Sequence, residues 1–102
     1  MKPRYILAPQ AARDLVEIWS YLKEASSRQT AERVESAIKS KFSYLADSPQ
    51  GGHWRRDLTD AEVRFLAVYS YLIVYRPHTK PLQIVLVLHG SRDVARILQQ
   101  RL

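Results

Sequence analysis

The sequence predicts an α+β fold: an N-terminal strand, an antiparallel helical hairpin packed on a mostly antiparallel four-stranded sheet, and a short C-terminal helix or tail. Three observations carry this prediction. Apolar residues recur at helical spacing through two stretches of the first half, the period then shortens to two, and one later run, Leu82 to Leu88, is apolar on both faces. Helices that each bury one stripe need a sheet to cover them, which places both patterns in one layered domain over residues 1–102.

The first element is the β-prone run Tyr5-Ile6-Leu7, closed by Pro9, whose missing N–H suits the first turn of a helix. From Pro9 onward Ala11, Leu15, Ile18 and Leu22 share one face, and Arg13, Asp14, Glu17 and Lys23 are assigned to the other faces. Ala8 stands at the N-cap and is a poor capping residue, so packing must hold that end. Ser26-Ser27-Arg28-Gln29 interrupts the pattern, and Ser26 with Gln29 is read as a capping box for a second helix. In that helix Ala31, Val34, Ile38, Phe42 and Leu45 form the apolar stripe, and Ser48-Pro49-Gln50-Gly51-Gly52 ends it. Two amphipathic helices with so short a joint fold back on each other.

Beyond the loop, Val63, Phe65 and Ala67 alternate with Arg64, Leu66 and Val68, and Tyr71, Ile73 and Tyr75 alternate with Leu72, Val74 and Arg76. These are two strands joined at Tyr69-Ser70, which lacks the Gly or Asn that a tight hairpin prefers. Pro77-His78-Thr79-Lys80-Pro81 is a turn, and Leu82 to Leu88 is a central strand. After Gly90-Ser91, the residues Val94, Ile97 and Leu98 return to helical spacing.

Composition narrows the function classes. There is no cysteine, which removes disulfides, thiolate nucleophiles and thiolate zinc sites together and suits a reducing compartment. The apolar run within Met1-Lys2-Pro3-Arg4-Tyr5-Ile6-Leu7-Ala8-Pro9 is too short for a signal peptide, and no stretch reaches membrane-spanning length, so a cytoplasmic protein without a membrane partner is expected. The net charge is +6, with eight cations against six anions in residues 1–54 and eight against four in residues 55–102. A basic balance points to an anionic partner, and arginine supplies eleven of the sixteen cations, the side chain best shaped for carboxylate or phosphate. No phosphate-cradling Gly-rich loop, two-His metal spacing or nucleophile with a marked base is present, so neither a metal nor a cofactor is expected.

Specific words then meet this order of elements. They are Ala8-Pro9, Ala12, Asp14-Leu15, Ile18-Trp19 and Tyr21-Leu22 in the first helix, then Phe42, Leu45 and Pro49-Gln50-Gly51-Gly52. Arg64, Tyr71-Leu72-Ile73-Val74-Tyr75-Arg76 and His89-Gly90-Ser91-Arg92-Asp93 complete the set. Through them the chain, from about Tyr5 to Leu98, resembles ParE-type toxins of the ParE/RelE toxin–antitoxin superfamily. The resemblance implies the RelE/ParE-like fold, the toxin role in a bacterial type II toxin–antitoxin system, neutralisation by a ParD-like antitoxin, and growth arrest by binding and inhibiting DNA gyrase. RelE-like relatives of the same fold instead cut messenger RNA on the ribosome, so fold alone does not choose between the activities.

A metal-independent RNA-cleaving site needs a base, an acid and cations for the phosphate. Arg64 and Arg76 on neighbouring strands and His89 at the end of the third are the candidates for that alternative, the one case in which direct nucleic-acid binding is expected. The resemblance argues against it, because RelE-like nucleases place a His or Tyr near the C-terminus with several upstream cations. Here the last tyrosine is Tyr75 and the tail has the ParE wording. His89 is therefore read as a strand-end residue bonded to backbone or to Asp93, with no catalytic residue expected.

The candidates for contact with target or antitoxin are Trp54, Arg55, Arg56, Arg64, Arg76, Arg92, Asp93 and Arg96. An acidic antitoxin segment that folds on binding sets carboxylates against Arg64, Arg76, Arg92 or Arg96. Trp54, in His53-Trp54-Arg55-Arg56, either stacks a base or closes over the core, and the core position is expected. Trp19 is likewise expected in the core, with Tyr21 as filler or as part of a groove, and His53 and His78 in solvent.

Overall fold

A computed structural model describes residues 3–102, so Met1-Lys2 at the head of the run weighed as a signal peptide lies outside the described residues. The order is β1 (Tyr5–Leu7), α1 (Pro9–Ala25), α2 (Arg28–Asp47), a 3-10 turn (Pro49–Gly51), β2 (Arg64–Val68), β3 (Tyr71–Arg76), β4 (Leu82–His89) and α3 (Val94–Arg101). The α+β arrangement expected from the sequence is the one observed.

At the head of α1 no side chain caps the helix, and the chain is held there by the Ala8 N–H donated to the Ile84 carbonyl at 2.9 Å. One assignment on this helix is corrected: Asp14 lies on the buried face, between Ala11 and Leu15, and is 9% exposed. The capping box is also corrected by one residue. Ser26 donates its N–H to Leu22 and so completes α1, while Ser27 caps α2 by accepting the Thr30 N–H at 3.0 Å. Only the Ser27 hydroxyl meets a free N–H at the head of α2, since the Ser26 hydroxyl is turned to the Thr30 side-chain oxygen at 3.2 Å. The expected stripe of α2, from Ala31 to Leu45, is buried throughout.

The sheet order is β1-β4-β3-β2, with β1 parallel to β4 and the other neighbours antiparallel. A bulge opposite Val74/Tyr75 shifts the parity of β4, so Val85 and Leu86 both join the core on the sheet's second face. On the first face α1 and α2 cover Ile73, Tyr75, Ile84 and Val87. On the second face Val94 and Leu98 of α3, with Val63 and Leu58 of the long loop, cover Phe65, Val74 and Leu88. The tail is therefore a second packing layer. It is a thin one, because an eight-residue helix does not hold itself and each of its two buried side chains stabilises by only about 1.5–3 kcal/mol.

Two irregularities shape the end of the sheet near His89. The β2–β3 turn sets Tyr69 at φ 54°, a left-handed conformation that costs a side-chain-bearing residue free energy. Strand β1 stops at the pair Leu7↔Ile84, while β4 runs on to His89. The edge of β4 is left without a strand there, and Asp14 takes the place of one by accepting the Val87 N–H at 2.9 Å.

Candidate functional site

Beside this open edge lies a groove of about 620 Å³ between the second half of α1, the β2–β3 turn and the end of β4. Tyr21, Tyr69 and Tyr71 supply its aromatic surface, Glu17 its acidic wall, and His89 and Arg92 its basic one. Tyr21 and Tyr69 are each 65% exposed, so the groove reading of Tyr21 is the one the structure supports. Tyr71 is buried, its ring 5.2 Å from that of His89 in an edge-to-face contact. Burial pushes the Tyr71 phenol up, with a smaller contribution from neighbouring Tyr21. His89 Nδ1 accepts the Ser91 N–H at 3.1 Å and lies 2.7 Å from Ser91 Oγ. The strand-end role expected for His89 is thus met through Ser91 and not through Asp93. Asp93 instead caps α3, accepting the Arg96 N–H at 3.3 Å through one carboxylate oxygen, and the residue is exposed.

The structure does not bring Arg64, Arg76 and His89 together. Arg64 pairs across the sheet with Tyr75, whereas His89 pairs with Tyr71, four residues back along β3 and therefore about 13 Å away. Arg76 lies one residue beyond Tyr75, so it leaves the sheet on the opposite face from Arg64 and stands about 17 Å from the His89 pair. An antiparallel hairpin necessarily sets the end of β4 against the beginning of β3. The conceivable cluster of two guanidiniums and an imidazole is corrected on that ground.

A second basic feature does assemble. The Arg64 guanidinium lies 4.4 Å, and that of Arg56 4.7 Å, from the Trp54 ring centre. Arg64 donates to the carbonyls of Gly52 at 3.0 Å and Gln50 at 3.4 Å, and Arg56 to those of Asp60 and Ala61. Cation–π attraction and these carbonyls hold the long loop against the start of β2. Trp54 is half-buried outside both cores, which corrects its expected position as a lid: the polar surroundings suit an indole between cations. Trp19 is corrected in the same way, half-buried with Lys23 Nζ 5.4 Å from its ring.

The other arginines differ in how free they are. Arg55 is joined to Asp57 by two bonds of 2.8 and 2.9 Å, and the Asp57 carboxyl is held below its ordinary range by that contact. Arg56 pairs with Glu62 at 3.1 Å. Arg64, Arg76, Arg92 and Arg96 have no carboxylate partner among the described residues, although Arg76 donates to Gln83 at 3.1 Å. Among the described residues no three His, Cys, Asp or Glu side chains gather as metal ligands. His53 and His78 are exposed, as expected.

Sequence reasoning missed Asp14 joined to Arg101, whose Nη1 and Nη2 lie 3.1 and 2.9 Å from the two carboxylate oxygens. A signal was present, since Asp14 falls three residues after Ala11 on the apolar stripe, but its partner 87 residues away left no mark on local spacing. Of the groove only Tyr21 is legible in the sequence, because its walls come from three distant segments.

Comparison with known proteins adds the family. The family model described as the ParE toxin of the type II toxin–antitoxin system parDE matches residues 5–94. No curated protein matches the sequence. Among solved structures, one described as a chromosomal ParDE toxin–antitoxin system from P. aeruginosa is similar, with a TM-score of 0.72 and 19% identity over 85% of this chain and 95% of that one. At that identity the likeness speaks for the fold. With the family model spanning most of the elements described above, this chain belongs to the ParE toxin family of type II toxin–antitoxin systems.

Proposed function

We propose that this ParE-family toxin arrests bacterial growth by binding and inhibiting DNA gyrase in the cytoplasm, residues 1–102 acting as one domain, and that a ParD-like antitoxin neutralises it. Family membership supports the target and the partner. The observation that carries a binding mode over cleavage is the strand register, which sets His89 about 13 Å or more from Arg64 and Arg76. Separated in this way, these groups do not converge on one phosphate, the condition for acid–base cleavage without a metal. They remain suited to a distributed contact. Arg92 and Arg96 are exposed and unpaired, and an acidic segment of the antitoxin set against them covers the surface that the target needs.

The test is supercoiling of relaxed plasmid by purified gyrase, run beside ribosome-dependent cleavage of a translated message. The expected result is loss of supercoiling with the message intact. Unaffected gyrase at saturating toxin, together with cut messages, establishes the RelE-like activity instead. Within this assay, replacing Arg92 and Arg96 together by alanine is expected to weaken inhibition about tenfold to a hundredfold, with the thermal midpoint unchanged because both side chains are exposed. Full inhibition by the double variant sinks the assignment of these two residues.

A further inference from the structure

Asp14 is the one charged residue in the buried set among the described residues. Its carboxylate holds two parts of the molecule at once: Oδ2 accepts the Val87 N–H at 2.9 Å, and both oxygens accept the forked guanidinium of Arg101. The side chains of this pair are 11% and 18% exposed, whereas both partners in every other ion pair among the described residues are at least 35% exposed, so water screens this bond least of them. The two residues belong to opposite layers, α1 on the first face of the sheet and α3 on the second. They meet where β1 has stopped and the edge of β4 is uncovered. Helix α3 is otherwise secured by the Asp93 cap at its start and by Val94 and Leu98 beneath it, with Arg101 as its last residue.

We propose that Asp14 and Arg101 form a latch that keeps α3 docked, and that through it they position Arg96 and the preceding Arg92 for contact with the partner. Both are positioning residues, acting on that surface without belonging to it. The latch stands on the geometry alone, and its positioning role rests on the gyrase-binding reading given above. Because the same carboxylate substitutes for a strand on β4, the open edge and the tail helix depend on one group.

Two conservative variants separate the tasks. Arg101→Met keeps an apolar stem in place and removes the fork, and Asp14→Asn keeps an acceptor for Val87 and removes the charge. Amide hydrogen exchange is followed in the wild type, each single variant and the double. The α3 amides from Ile97 to Arg101 are expected to exchange about tenfold or more faster in each single variant, with little further change in the double. Amides around Ile38 and Phe42 keep their protection in Arg101→Met, and trypsin cuts after Arg92 and Arg96 more rapidly. Unchanged protection of α3 in Arg101→Met, or a loss shared in proportion by α2, overturns the latch. In the supercoiling assay Arg101→Met is expected to weaken inhibition as much as Arg96→Ala, and a loosened α3 with full inhibition overturns the positioning role. If the wild-type toxin leaves gyrase untouched, the gyrase reading and the positioning role fall together, while the exchange data still decide the latch.

Discussion

Phe42→Ala is expected to lower the free energy of unfolding by about 3–5 kcal/mol. Phe42 is fully buried at the middle of the first core, its ring 5.3 Å from that of Tyr5, so it ties α2 to β1 as well as to the sheet. Truncation removes apolar area and leaves a cavity that the surroundings close only in part, since α2 is held along the whole stripe from Ala31 to Leu45. At roughly 4–8 °C per kcal/mol for a domain near this size, the thermal midpoint is expected to fall by about 15 °C or more. Denaturant titration checks the result, with the midpoint moving and the slope preserved. Phe42→Leu, which refills most of the space, is expected to cost far less. A shift below about 1 kcal/mol for the alanine variant contradicts the closed core described for this face.

Tyr75→Phe is expected to destabilise by about 2–4 kcal/mol, the second largest effect among simple substitutions. The hydroxyl of this fully buried residue donates to the Pro49 carbonyl at 2.7 Å and accepts the Gly52 N–H at 2.8 Å. Phenylalanine fills the same space and leaves both backbone groups without that partner, so the cost arises from desolvated polar groups and not from packing. Burial pushes the Tyr75 phenol above its ordinary value near 10. The folded chain therefore keeps the proton to higher pH than the unfolded chain does. The contribution is fully present below the unfolded value and is lost as pH rises through the raised one. Wild type and variant should consequently converge in stability only in alkali, and a difference already lost at neutral pH contradicts the assignment. The same junction explains Gly52. A Cβ at this position stands 2.5 Å from the Tyr75 oxygen and 2.8 Å from the Phe65 carbonyl, and that carbonyl is already engaged by the His53 N–H. Any larger residue pushes the loop that carries Trp54 away from β2.

The reliability of sequence reading differed by the range of the interaction. The stripe of α2 was legible because five apolar residues repeat at one period and nothing polar interrupts them. The α1 stripe was read correctly at Ala11 and Leu15 and incorrectly at Asp14, because a carboxylate on a helix is ordinarily solvated and its reason for burial, Arg101, is remote. Trp54 and Trp19 are expected in the core, whereas each is half-buried with cations beside its ring. The one-residue error at Ser26 and Ser27 reflects two adjacent hydroxyls with equal capping ability, which only the end of α1 distinguishes.

By itself the sequence determined the identity and order of the elements, the buried set of α2, the central position of β4 and the words that carry the family resemblance. These follow from local periodicity and from residues close along the chain, where neighbours already impose the backbone conformation. Tertiary structure fixed the register that pairs His89 with Tyr71, away from Arg64 and Arg76, including the bulge near Tyr75 that no local pattern marks. It alone joined Asp14 to Arg101 across the open edge of the sheet and made the tail a second layer. Contacts of that range depend on how distant segments pack once the chain has closed its loops, and they leave no repeat in the sequence from which to read them.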